Sequence, residues 1–451
     1  MNTKLVTFRN NIKGKNVAVI GIGISNRPLI GFLAKNGARV TAYDKKSREE
    51  LGETYAELEK LGVSFRLGEG YLDEIPEEII FKTPGMRFDM PQLTAARARG
   101  AVVTSEMEVF FELCPAKIIA VTGSDGKTTT TTLIHKFLSK AGYKTWLGGN
   151  IGKPLLAECE NIAPDDIAVL ELSSFQLHTM KKSPHIAVIT NITPNHLDVH
   201  KSYEEYIDAK KNIMRYQTAD DILVLNEGND VTRAMKSEAK GEVRTFSAYR
   251  DADFALAEGK ITFRGEVFLD TADIKIPGMH TVENYMTAIA ATCGMVDKAV
   301  YTEVAREFGG VEHRIELVRV LDGVSYYNSS IDSSPNRSLN TLRVFGKNVV
   351  MIAGGKDKGI PYDDIGPAVC EHVKELILIG KTADKIEAAV RAAGGNMPIK
   401  HVQTYPEAVF AAKNAADAGD VVLLSPASTS FDMFNNFEER GNLFKRLVCE
   451  L

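Results

Sequence analysis

Cysteine is scarce and scattered. Cys114, Cys159, Cys293, Cys370 and Cys449 are five in 451 residues, an odd number with no CxxC pair. That argues against a disulfide framework and against a cysteine-built zinc site; buried, reduced thiols are the expectation. No apolar run approaches the length that spans a bilayer, so no membrane partner is expected. Residues 1–15 carry Lys4, Arg9, Lys13 and Lys15 but no apolar stretch, which argues against a secretory signal. A dominant charge is missing too. Lys and Arg number 54 against 59 Asp and Glu, a net −5 that gives no global reason to expect a nucleic-acid partner. There is no fixed-period repeat and no low-complexity tract. A reducing cytoplasm suits this composition.

What is present is alternation. Short apolar runs alternate with helical patterns, the signature of α/β folds with mainly parallel sheets. The runs form three groups: 16–21, 39–44, 79–83 and 102–105; then 117–122, 167–172, 185–191 and 221–226; then 324–328, 349–353, 375–380 and 421–425. Three domains are therefore expected, 1–106, 107–311 and 312–451. Residues 260–276 break the texture with Ile261, Phe263, Val267 and Leu269 flanking Gly265, which reads as an antiparallel hairpin appended to the central domain.

The most informative stretch joins an apolar strand, 117–122, to the helical pattern 132–140 through Gly123-Ser124-Asp125-Gly126-Lys127-Thr128-Thr129. Glycines let backbone N–H groups turn inward around phosphate oxygens, and the following helix offers its positive end. Lys127 would reach the terminal phosphates, and the Thr128 hydroxyl would coordinate Mg. The first glycine of the usual G-x-x-x-x-G-K-[ST] pattern is replaced by Val121. A Gly-rich turn with a surface lysine is the bland alternative, but the strand–loop–helix context favours an ATP site.

In open α/β sheets ligands sit beyond the carboxyl ends of strands. Glu171 ends the apolar run 167–170 there, where an unpaired buried carboxylate is costly and Mg is a natural partner. His196, in the loop after 185–190, can bind metal or contact a phosphate. His200 reads as surface, and Lys210 and Lys211 as a solvated helix face. In the first group, Gly21-Ile22-Gly23 and Asp44 look like a dinucleotide fingerprint, yet Asn26 stands where the third glycine would be. In the third group, loops 354–359 and 425–432 cluster lysines and hydroxyls, which suits a small anion.

These residues together resemble the Mur ligases of peptidoglycan synthesis along essentially the whole chain. The markers are the 122–128 loop, Gly149-Asn150-Ile151-Gly152, the ELSSFQL stretch 171–177, residues 191–198, Pro277-Gly278-Met279-His280, Glu312-His313-Arg314 and residues 425–441. The 171–177 and 425–441 stretches point to the D-glutamate-adding branch. The resemblance implies a three-domain fold: an N-terminal Rossmann-like domain, a central P-loop ATPase-like sheet and a C-terminal Rossmann-like domain. It implies an ATP-dependent amide-bond ligase acting, as a monomer, on UDP-N-acetylmuramoyl-L-alanine and D-glutamate through an acyl phosphate. It also assigns roles. Gly123 through Thr129, with Asn284, His313 and Arg314, would hold ATP. Thr128, Glu171, His196 and a carbamylated Lys210 would hold two Mg ions, and Lys127, His196 and Lys210 would be catalytic. Ser25, Lys45, Lys46, Gly85 and Asn150 would hold the UDP substrate, and Lys358, Ser430, Phe431 and Phe437 the D-glutamate.

Three positions depart from the family's pattern. Thr281 replaces an asparagine expected after His280. Ser329 replaces a carboxylate, with Asp332 the candidate to stand in for it. Ile331 replaces a lysine. An oxidoreductase built on the Gly21–Asp44 fingerprint is one competing class, but it explains none of the phosphate loop; a non-catalytic nucleotide-binding protein is another, and it predicts no phosphate release with any acceptor.

Overall fold

The computed structural model describes residues 2–23, 25–195 and 199–451. Its strands form three sheets. The first contains β1 (Asn16–Ile20), β2 (Arg39–Asp44), β3 (Ser64–Leu67), β4 (Ile79–Phe81) and β5 (Val102–Thr104), in the order β3-β2-β1-β4-β5 and wholly parallel. Val17 through Ile20 are buried without interruption, as befits a parallel strand covered on both faces. Strand order reverses between β1 and β4. Gly21 lies just beyond β1 at φ 91°, and a Cβ there would sit 3.1 Å from that of Thr83. Glycine thus lets the loops after β1 and β4 lie side by side.

The second sheet contains β6 (Lys117–Thr122), β7 (Thr145–Gly149), β8 (Ile167–Glu171), β9 (Ile186–Ile189), β10 (Ile222–Asn226), β11 (Glu242–Ser247), β12 (Phe254–Ala257), β13 (Lys260–Phe263) and β14 (Glu266–Asp270). Its order is β14-β13-β12-β11-β10-β9-β6-β8-β7. The antiparallel piece is larger than the expected hairpin. It begins at β12, which pairs in parallel with β11, so it continues the sheet instead of hanging from it. Both of its turns, Glu258-Gly259 and Arg264-Gly265, place two residues at positive φ, as tight hairpin turns demand.

The third sheet contains β15 (Glu316–Leu321), β16 (Val324–Asn328), β17 (Val349–Ala353), β18 (Val373–Ile379), β19 (Ile399–Val402) and β20 (Val421–Leu424), in the order β15-β16-β20-β17-β18-β19. Only β15 and β16 pair antiparallel. The chain divides into two compact units. One joins Met1–Thr271 with Glu283–Val304 and carries the first two sheets; the other joins Ala272–Val282 with Ala305–Leu451 and carries the third. Among the described residues no helix is long and apolar enough to cross a membrane. Of the cysteines, Cys114 and Cys159 are buried, but Cys449 is exposed near the chain end, against the expectation for it.

Candidate active site

The glycine loop closes the carboxyl end of β6. Gly123 takes φ 150°, and a Cβ on it would meet the Thr190 hydroxyl at 1.9 Å. Gly126 caps the helix Lys127–Lys140 at φ 78°, with Asn284 Oδ1 2.4 Å from where a Cβ would be. Neither position tolerates a side chain. The loop is pinned from the neighbouring strand: Ser124 N–H donates to Asn191 O at 2.8 Å, Asp125 N–H to Asn191 Oδ1 at 3.0 Å, and the Thr190 hydroxyl to Asp125 O at 2.6 Å. Lys127 Nζ turns onto Ser124 O at 2.8 Å. Asn284 lies under the loop and accepts from the Thr130 hydroxyl at 3.3 Å.

Beside the loop sits the strand-end carboxylate. Glu171 is 1% exposed and accepts from the Thr128 hydroxyl at 2.7 Å and from Asn150 Nδ2 at 2.8 Å. Gly149, at φ 95°, makes the second contact feasible, since a Cβ there would lie 2.2 Å from Glu171 O. Both of these partners are neutral side chains, and among the described residues no salt bridge holds the carboxylate.

Lys210 corrects the reading of its helix face as solvated. It is 1% exposed, on the inward side of the helix Tyr203–Arg215. Its Nζ donates to Gly123 O at 2.8 Å and to the Thr122 hydroxyl at 3.2 Å. Burial pulls its pKa well below the ordinary lysine value, with the Lys127 charge acting the same way and Glu171 and Asp125 opposing. Neighbouring Lys211 pairs with Glu238 at 2.5 Å. His200 is not surface either: it is buried, within 2.9 Å of the Ser174 hydroxyl and stacked on Phe175. His196 lies outside the described residues.

In the first sheet, Asn26 does the work a third glycine would have left to close packing. Its side chain donates to Ile20 O and Gly21 O, both at 3.0 Å, and ties down the loop after β1. Asp44 accepts the Ile22 N–H at 2.7 Å. Ser25, Lys45, Lys46 and Gly85 are exposed. Ser25 shares with Pro84, Gly149 and Gln176 a small recess, a grouping that nothing in the sequence pattern signals.

In the other unit, Gly354 and Gly355 follow β17 where side chains would strike Ile379 O at 1.9 Å and Thr429 O at 2.2 Å. The Lys356 N–H donates to Thr429 O at 2.8 Å, so the loops after β17 and β20 are laced together. Ser430 is buried in that lacing, Phe431 is 58% exposed, and Lys358 is exposed. Phe437 packs edge-on against His313, with ring centroids 6.0 Å apart. His313 contacts Asn328 Nδ2 at 2.9 Å, and the Arg314 N–H donates to Val311 O. Asp332 is the candidate for the carboxylate absent at 329. It is buried, accepts from the Ser425 hydroxyl at 2.7 Å, and burial raises its pKa.

The Mur ligase middle domain matches residues 121–292, and the Mur ligase glutamate ligase domain matches residues 313–428. The UDP-N-acetylmuramoylalanine–D-glutamate ligase of Acetivibrio thermocellus is 56% identical, covering 99% of both chains. The chain belongs to the Mur ligase family. The corresponding ligase of Ruminiclostridium cellulolyticum is 53% identical over 100% of each chain. Among solved structures, the UDP-N-acetylmuramate–alanine ligase of Thermotoga maritima superposes with a TM-score of 0.61 at 19% identity, covering 97% of this Mur ligase and 99% of that chain. A pseudomurein peptide ligase type C from Methanothermus fervidus gives 0.54 at 15%, covering 97% and 100%. These two bear on the fold alone.

Proposed function

We propose that this chain joins D-glutamate to UDP-N-acetylmuramoyl-L-alanine, converting ATP to ADP and phosphate, in peptidoglycan precursor synthesis. The observation that carries the reading is the meeting of Thr128, Glu171, Asn150 and Lys210 around the glycine loop, in a chain whose full-length relatives are named for this activity.

A carboxylate is a poor electrophile, so the reaction needs a leaving group. An oxygen of the alanyl carboxylate takes the γ-phosphoryl of ATP, and ADP leaves. The amine lone pair of D-glutamate then attacks the acyl carbon, and the tetrahedral adduct expels phosphate while the nitrogen loses a proton. The chain contributes position and charge. Backbone N–H groups of the loop and the first turn of Lys127–Lys140 receive the phosphates. Lys127 would leave Ser124 O for the transferring phosphoryl, and Asn150 would orient the muramoyl end.

The family's Mg ions fit part of this donor set. The Thr128 hydroxyl and the Glu171 carboxylate are hard oxygens 2.7 Å apart. Among the described residues no three His, Cys, Asp or Glu side chains cluster for a metal, so nucleotide oxygens would complete the shell. Bound Mg would neutralise charge on the phosphoryl being transferred. Lys210 as a free amine is no ligand for a cation; it joins this set only as a carbamate, whose oxygens would replace its donation to Gly123 O. Two ions, the carbamate and His196 as a further ligand complete the proposed centre.

The remaining assignments follow the same reading. Residues 1–106 hold the UDP moiety through Ser25, Lys45, Lys46 and Gly85; residues 107–311 hold ATP, with Asn284. Residues 312–451 hold D-glutamate through Lys358, Ser430, Phe431 and Phe437, with His313 and Arg314 facing ATP. The enzyme works as a cytoplasmic monomer. Phosphate release from ATP with UDP-N-acetylmuramoyl-L-alanine, screened over amino acids, tests the function. Release with D-glutamate and little with L-glutamate is expected; equal rates, or none with D-glutamate, would overturn it.

A further inference from the structure

Lys82 directly follows β4 and is only 3% exposed. Among the described residues its Nζ has neither a hydrogen bond nor a carboxylate within ion-pair distance. The acidic group that acts on it is Glu108, whose carboxylate already takes the Ser105 hydroxyl at 2.7 Å. Burying an ammonium without acceptors is costly, and burial lowers its pKa accordingly.

Its surroundings say what would compensate. Lys82 lines the same small recess together with Ser25, Pro84, Ser105, Glu106 and Gln176. Ser25 follows β1 and Pro84 follows β4, so the recess opens where the strand order of the first sheet reverses. That is where open parallel sheets take their ligands, phosphates above all. The carboxyl that lines the recess, Glu106, is turned away: its Oε1 accepts the Leu156 N–H at 2.8 Å, and burial pushes its pKa up to about 7. The recess therefore offers a cation and the Ser25 hydroxyl, while the Ser105 hydroxyl is already given to Glu108. The alanyl carboxylate belongs at the Glu171 end, beside ATP, which leaves the diphosphate as the anion at the β1–β4 end.

Resting on the function proposed above, we propose that Lys82 binds the diphosphate of the UDP-linked substrate, its ammonium gaining an ion-pair partner when the substrate arrives. A diphosphate stays anionic at any working pH and offers several oxygens to a point charge such as lysine. The contact adds a cation to the expected nucleotide contacts at Ser25 and Gly85, one that lies inside the recess while Lys45 and Lys46 are on the surface.

Calorimetric titration of the full chain with UDP, UMP, UDP-N-acetylmuramoyl-L-alanine and ADP tests this, on wild type, Lys82→Met and Lys82→Arg. Lys82→Met should weaken UDP and the full substrate by about tenfold or more, UMP by less, and ADP not at all. Lys82→Arg should recover most of the loss. Without ligand, Lys82→Met should melt no lower than wild type, because an unpaired buried charge has been removed. UDP affinity within about twofold of wild type overturns the proposal, as does a loss confined to the full substrate or shared equally by UMP. A parallel loss of ADP affinity with a lowered melting point would make Lys82 structural. Wild-type binding of uridine nucleotides without phosphate release would sink the functional reading alone; no such binding would sink both.

Discussion

Glu106 makes the stability of the first unit depend on pH in a direction opposite to most carboxylates. Its side chain is buried at the start of the helix Glu106–Leu113, and burial raises its pKa from 4.5 to about 7 against two backbone hydrogen bonds that lower it. The folded state therefore holds a proton that the unfolded chain has already released. Stability is fully present below the unfolded value of 4.5 and falls as pH rises through about 7. A shift of some 2.5 units corresponds to about 3 kcal/mol in all, of which roughly 2–3 kcal/mol is lost between about pH 5 and about pH 8. Glu106→Gln keeps an oxygen for the Leu156 N–H and cannot ionise. Its stability relative to wild type should rise by that ~2–3 kcal/mol over the same interval. The assay is urea unfolding at several pH values, followed by fluorescence of Trp146. This is the chain's single tryptophan, and it lies on β7 in the same unit. A difference between variant and wild type that stays flat with pH refutes the reasoning.

Other outcomes follow from the loop and its neighbours. Lys210→Ala should abolish phosphate release, and added acetate should restore part of it by supplying the carboxylate of the lost carbamate; full activity without added carboxylate contradicts the assignment. Gly123→Ala puts a methyl 1.9 Å from the Thr190 hydroxyl and 3.1 Å from Asn191 O. The strained loop should lose ATP affinity by about 1–3 kcal/mol, and an unaltered ATP titration would show that the loop gives way. Glu171→Gln should raise the Mg concentration for half-maximal rate by at least about tenfold; an unchanged Mg dependence removes Glu171 from the metal site.

The central strands were legible because burial on both faces writes a continuous apolar run. The strands that escaped notice include β3, β7, β15 and β19, and each of these lies at the edge of its sheet. They alternate or thin out in burial, Ser64–Leu67 most plainly, and so leave no run to see. At the site, the glycine loop and Glu171 were legible for a related reason: a charge that closes an apolar run has no packing excuse. The same rule applied to Ile79-Ile80-Phe81-Lys82 would have found Lys82. Lys210 and His200 were illegible as buried groups because helix periodicity does not tell which polar residue has a hidden partner. Gly123 O accepts from Lys210, and the Ser174 hydroxyl pairs with His200, both from elsewhere in the chain. Asp332 is similar. Its place three residues past Ser329 suggests a replacement, but the hydroxyls that enclose its carboxyl leave no mark in the sequence.

The most direct test of the account follows the oxygen atoms. UDP-N-acetylmuramoyl-L-alanine labelled with oxygen-18 in its alanyl carboxylate is incubated with the enzyme, ATP and D-glutamate, and the released phosphate is weighed by mass spectrometry. If the carboxylate is phosphorylated and then displaced by the amine, each phosphate carries one labelled oxygen. Unlabelled phosphate, with the amide formed, would contradict the acyl-phosphate route at this site.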